Sequence, residues 1–133
     1  MYSKEEKLSL LSEMIEFARA DNKVKEEEYG FILAVAEQLG ITAHELGELM
    51  EKGVQKKSIH PESERILQFH RLVLLMNVDQ ESVPSELHKI RNMGLQMGLR
   101  PEAIDTVLKE MHSYPNKVIP PKELMAIFTK FYN

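Results

Sequence analysis

The chain has 133 residues, enough to bury one substantial core and too few for two full-sized domains. Its 43% apolar and 29% charged residues are those of a globular protein, and a formal net charge of −4 speaks against a dedicated nucleic-acid binder, which needs excess Lys and Arg to displace counterions. No cysteine is present, which excludes disulfides, thiolate zinc sites and cysteine nucleophiles.

Met1-Tyr2-Ser3-Lys4-Glu5-Glu6-Lys7 is charged and runs straight into an amphipathic pattern, with no apolar stretch of the kind a signal peptide needs. The densest apolar run, residues 72–76, is far too short for a bilayer. The expectation is a soluble, cytoplasmic protein.

Ser3-Lys4-Glu5-Glu6 is a capping box, in which the Ser hydroxyl accepts from the backbone and Glu6 reaches back. Leu8, Leu11, Met14, Ile15 and Ala18 then recur at helical spacing, predicting a first helix to about Ala20. Residues 21–25 turn the chain, with Asn22 suited to a positive φ. A second helix begins near Glu26, carries Ile32, Val35, Ala36 and Leu39, and stops at Gly40 as a C′ residue. Thr42-Ala43-His44-Glu45 is a second capping box, opening a short third helix with Leu46, Leu49 and Met50. Gly53 and Gln55-Lys56-Lys57-Ser58 form the connection onward.

Pro61 fits a first helical position, its missing N–H costing nothing there. The fourth helix carries Ile66, Phe69, Leu72, Val73 and Met76, and residues 79–83 turn again. Pro84 opens a fifth helix with Leu87, Ile90, Met93 and Met97, ended by Gly98. Pro101 opens a sixth with Ile104, Val107, Leu108 and Met111. Residues 114–119 read as a loop, and Pro120-Pro121 start a closing helix bearing Leu124, Ile127, Phe128 and Phe131. No alternating β-branched pattern occurs, so the fold class is all-α with about seven helices. The glycines read as helix stops and the methionines as core filling.

Shifted by 58 positions, residues 8–50 lie on 66–108 without a gap. Leu11 falls on Phe69, Ile15 on Val73, Ile32 on Ile90 and Leu46 on Ile104; Asp21 falls on Asp79, Glu28 on Glu86 and Gly40 on Gly98. Shared apolar periodicity accounts for the core matches, but less well for the loop residues that agree with them. The pattern predicts a duplicated three-helix unit, residues 5–53 and 61–112, with a closing helix over 120–132, in one domain of 133 residues.

The signature stretch is Ala20-Asp21-Asn22-Lys23-Val24-Lys25-Glu26-Glu27-Glu28, followed by Leu39-Gly40-Ile41, with an echo over residues 79–86 and Met97-Gly98-Leu99. These residues resemble the tellurite-resistance TerB-like family over about residues 5–112. The resemblance implies an all-α fold, acidic residues able to hold a divalent cation, and a stress-linked, non-enzymatic role in a soluble protein associated with membrane-linked complexes. Three departures stand out: Asn22 replaces the usual Gly, Lys25 stands where Ser or Thr commonly caps, and Val83 comes one place late in the second copy.

Asp21, Glu28, Asp79 and Glu86 are the candidate metal ligands. Oxygen-only donors without Cys suit Ca²⁺, Mg²⁺ or Mn²⁺. One loop supplies few ligands, so two loops would converge or waters would complete the shell. The alternative is local: Asp21 bonds turn amides while Glu26, Glu27 and Glu28 complement a helix N-terminus. An EF-hand fails, because aligning Glu28 with the last ligand puts Phe17 and Arg19 at the first two.

The five histidines are scattered without zinc-protease spacing, and no nucleophile elbow or phosphate cradle exists. The expectation is therefore no catalytic residue and no organic cofactor. It includes an unidentified protein partner, a role as a regulatory or scaffolding module, no nucleic acid and no membrane insertion, with a peripheral membrane complex compatible. A metal-independent interaction module is the alternative, and it predicts an exposed apolar or Met-rich groove.

Overall fold

The computed structural model describes residues 2–19, 24–53, 61–78 and 84–131. All the regular structure among them is helical: α1 Lys4–Ala18, α2 Glu26–Gln38, α3 Ala43–Lys52, α4 Glu62–Met76, α5 Pro84–Gln96, α6 Pro101–Glu110 and α7 Pro121–Lys130. The all-α expectation with seven helices therefore holds. The chain divides into two compact units, Met1–Ser58 and Ile59–Asn133.

In the N-terminal unit, α1 packs on α2 and α3, and α2 on α3. The Ser3 hydroxyl accepts from the Glu6 N–H at 3.1 Å while Glu6 accepts from the Ser3 N–H at 2.8 Å. Thr42 and Glu45 make the same reciprocal pair at the start of α3. Each such cap satisfies amides that a helix start leaves orphaned, and losing its hydroxyl costs about 1 kcal/mol. Between the helices, Leu11, Met14, Ile32, Ala36 and Leu46 are completely buried. Burial of each large apolar side chain contributes about 1.5–3 kcal/mol. Gly40 closes α2 with φ +79°, and the Ile41 N–H returns to the Ala36 carbonyl at 2.8 Å. Arg19 donates to the Met50 carbonyl in the last turn of α3, where a cation suits the helix dipole.

In the C-terminal unit, α4 packs on α5 and α7, and α6 on α5 and α7. Phe69 and Phe128 meet edge to face with centroids 6.2 Å apart, which joins α4 to α7. Gly98 ends α5 at φ +79°, with the Leu99 N–H returning to the Gly94 carbonyl at 3.1 Å. Arg65 donates to the Met97 carbonyl at 2.8 Å, the counterpart in function of the Arg19 contact.

The bounds of the two helix trios coincide at the offset seen in the sequence. Lys4 and Ala18 stand 58 positions before Glu62 and Met76, Glu26 and Gln38 before Pro84 and Gln96, and Ala43 and Lys52 before Pro101 and Glu110.

Three local expectations change. Pro61 is the N-cap rather than the first helical residue, because its ψ of 128° is still extended. Gly40, Gly53 and Gly98 are helix stops with positive φ, but Gly30, Gly47 and Gly94 lie inside helices. The expected loop over 114–119 contains a 3₁₀ turn, Pro115–Lys117, in which Asn116 and Lys117 adopt φ of 57° and 60°. Asn22, Lys56, Lys57 and Val83 lie outside the described residues.

Candidate functional site

Lys25 is the N-cap of α2 and contributes no side-chain cap, since an ammonium accepts no hydrogen bond. Glu28 supplies the bond: its Oε1 accepts from the Lys25 N–H at 3.0 Å. Glu26, Glu27 and Glu28 fill the first turn, where anions complement the helix dipole. Glu26 and Glu27 are exposed, but Glu28 is only 5% exposed. The helical period explains this, because Glu28, Ile32, Val35 and Ala36 form one inward stripe. A carboxylate at the head of that stripe loses hydration, and such a group requires compensating donors or cations.

Glu86 is the third residue of α5 and heads the corresponding stripe with Ile90 and Gly94. It is half-buried. Asp21 and Asp79 lie outside the described residues, so of the four candidate ligands the structure positions Glu28, in the N-terminal unit, and Glu86, in the C-terminal one. Among the described residues no three His, Asp or Glu side chains converge on a point suited to a metal ion.

Glu45 has the most strongly shifted carboxyl. Its pKa is lowered to about 2, chiefly by the Lys4 ammonium bonded to it and then by the Thr42 N–H and hydroxyl. This is an exposed cap that ties the start of α1 to α3, and its carboxylate is used by the fold.

The histidines provide no catalytic constellation among the described residues. His70 is buried and its Nε2 lies 2.8 Å from the Ile119 carbonyl, which assigns the proton to Nε2. Burial pushes its pKa down, with the Ile119 bond opposing and the Arg71 charge adding. His44 pairs with Glu48 at 2.8 Å across one exposed helical turn. Sequence reading missed the His70 tie, which spans 49 positions and has no local signal. It also missed the two-pronged Arg91–Asp105 contact between α5 and α6, 2.7 and 3.3 Å.

The expected exposed apolar or Met-rich groove is not seen as a patch of bulky side chains. Among the described residues Val118, at 40%, is the large hydrophobe that is exposed. Met14, Met76 and Met111 fill the core, as does Phe128, while Phe131 is half-buried. No described helix is long and apolar enough to cross a membrane.

Comparison with protein families places residues 1–51 on the family described as tellurite resistance protein TerB. That range covers α1, α2 and nearly all of α3, including the acidic start of α2. Neither the curated proteins nor the solved structures gave a match. Over residues 1–51, within its N-terminal unit, the chain is similar to the TerB family.

Proposed function

We propose that the chain is a non-enzymatic TerB-like module that holds a divalent cation at the acidic stretch leading into α2 and serves as a stress-related regulatory or scaffolding component. The observation that carries this reading is the burial of Glu28, a carboxylate 5% exposed in the first turn of a helix. Asp21 and Glu28 are its ligands, with water completing the shell around Ca²⁺, Mg²⁺ or Mn²⁺. A carboxylate offers about four lone-pair sites, so accepting the Lys25 N–H and binding a cation are compatible. When bound, the ion would add a positive charge beside the buried Glu28 carboxylate. Asp79 and Glu86 form a second, weaker site, because Glu86 keeps more of its hydration than Glu28.

The Lys25–Glu28 hydrogen bond favours a second reading, in which the acidic residues are helix caps alone and the module works without metal. Thermal unfolding separates the two. A ligand that binds only the native state must raise the midpoint, by about 2.7 kcal/mol of stability at a hundredfold excess over its Kd. The cation reading predicts a rise with at least one of Ca²⁺, Mg²⁺ and Mn²⁺ at millimolar concentration, lost in Asp21→Asn. Glu28→Gln keeps a capping-box residue, so it should retain most of the basal stability and lose the metal response. No rise with any of the three ions leaves the cap reading standing.

A further inference from the structure

The two units share the bounds of their helix trios but differ in what closes them. In the N-terminal unit α1 packs directly on α3, whereas in the C-terminal unit their counterparts, α4 and α6, each pack on α7. Among the described residues the N-terminal unit has no fourth helix, so the same trio occurs both with and without one. The residues of α4 that meet this addition are larger than their counterparts, with Phe69 and His70 standing where α1 has Leu11 and Ser12. Phe69 packs on Phe128 of α7, and His70 holds the Ile119 carbonyl just before α7 begins.

The anchoring of α7 is narrow. Leu124 and Phe128 are its buried residues, against eight in α4, and few buried side chains mark the low end of local stability. The connector leading into it is strained, because Asn116 and Lys117 adopt φ of 57° and 60° in succession. Asparagine tolerates the left-handed region, but a lysine Cβ there stands too close to the following carbonyl oxygen. Such a conformation persists only where its surroundings hold it, and here the holds lie at the root of α7. The Ile119 carbonyl lies 2.8 Å from His70 Nε2, and the Tyr114 side chain bonds to Glu123 in the first turn of α7. Letting α7 go would let Lys117 relax.

We propose that α7 and its connector form a releasable strap, held by Phe128 against Phe69 and by His70 on Ile119, and loaded by the left-handed turn at Asn116 and Lys117. The strap opens as a unit while α4, α5 and α6 stay folded, and its opening uncovers the Phe69 ring. Relief of the strained turn offsets part of the burial that opening loses, so the open form lies below the cost of unfolding the whole unit. The device lies within the C-terminal unit and does not depend on whether a cation binds before α2.

Native-state hydrogen exchange of the full chain, read by mass spectrometry, tests the strap. In the wild type the amides of α7 should exchange about tenfold or more faster than the buried amides of α4, through an opening less sensitive to urea than global unfolding. Lys117→Gly relieves the strain of the closed form and should slow exchange in α7 by about threefold or more, with α4 to α6 unchanged. His70→Leu removes the donor to Ile119 and should speed exchange in α7 by about fivefold or more, with α5 and α6 unchanged. Thermal midpoints report that each variant is folded, and Lys117→Gly, which leaves the core intact, decides the matter if His70→Leu does not fold. Equal exchange of α7 and α4 in the wild type would overturn the proposal. So would a Lys117→Gly variant without slower exchange in α7, or a folded variant that shifts all the helices of its unit alike.

Discussion

In the N-terminal unit Leu11 and Ala36 are completely buried at the positions that Phe69 and Gly94 hold in the C-terminal unit. The larger side chain on one helix goes with the smaller on the next. A Cβ at Gly94 would lie 2.8 Å from Ile104 Cδ1 and 2.9 Å from Phe69 Cε1, closer than real Cβ contacts come. At the Phe69–Gly94 contact the large ring therefore goes with the missing Cβ, so that volume is conserved across it. The C-terminal unit uses the larger ring to reach α7 through Phe128. The N-terminal unit uses the smaller pair, and has Leu33 and Gly47 at the positions 58 before Arg91 and Asp105.

The largest expected effect breaks that volume match. Gly94→Ala should destabilise by about 1–3 kcal/mol through overpacking, although alanine itself favours a helix. Phe69→Leu should cost on the order of 1–2 kcal/mol by leaving space. The double variant restores the Leu–Ala filling of the other unit, so urea denaturation should show a cost smaller than the sum by about 1 kcal/mol or more. Simple additivity would mean that the two positions are not a matched pair.

Next come the glycines that end α2 and α5. Gly40→Ala and Gly98→Ala each force a side chain into the left-handed region, a cost of about 1–2 kcal/mol. Gly98→Ala should be the worse of the two. Its Cβ would lie 3.0 Å from Arg65 Nη1, the group that donates to the Met97 carbonyl, while nothing lies within 4 Å at Gly40. Equal midpoints for the two variants would show that Arg65 yields freely.

A smaller effect concerns pH. His70 occupies the position that Ser12 holds in the N-terminal unit, and burial lowers its pKa in the folded state. The unfolded chain then binds the proton more readily. The stability held by neutral His70 is fully present above the ordinary value of about 6.5 and is lost as pH falls through the depressed folded value. Thermal midpoints between pH 7 and pH 5 should fall more for the wild type than for His70→Gln. Parallel curves would mean that the buried imidazole does not titrate against the fold.

The helix bounds were legible because their signals are local. Ser3, Thr42, Pro84 and Pro101 mark starts, and Gly40 and Gly98 mark stops, each acting within a turn of its own position. What remained hidden depends on partners far along the chain. Gly94 is shaped by Phe69 and Ile104, His70 by Ile119, and Arg91 by Asp105. Pro61 missed by one place because a proline φ serves an N-cap as well as a first turn. Of the candidate site, the acidic start of α2 was legible as a motif. The burial of Glu28 was not, since a carboxylate at the head of an apolar stripe interrupts the very period by which the stripe is read.

Whether the acidic stretch leading into α2 binds a cation decides between the two readings of Glu28. Calorimetric titration of Ca²⁺, Mg²⁺ and Mn²⁺ into the wild type, Asp21→Asn and Asp79→Asn tests it most directly. One of these ions should bind the wild type saturably, with the tighter event lost in Asp21→Asn and kept in Asp79→Asn. An absence of binding heat with all three ions, or a tighter event untouched by Asp21→Asn, would contradict the cation reading.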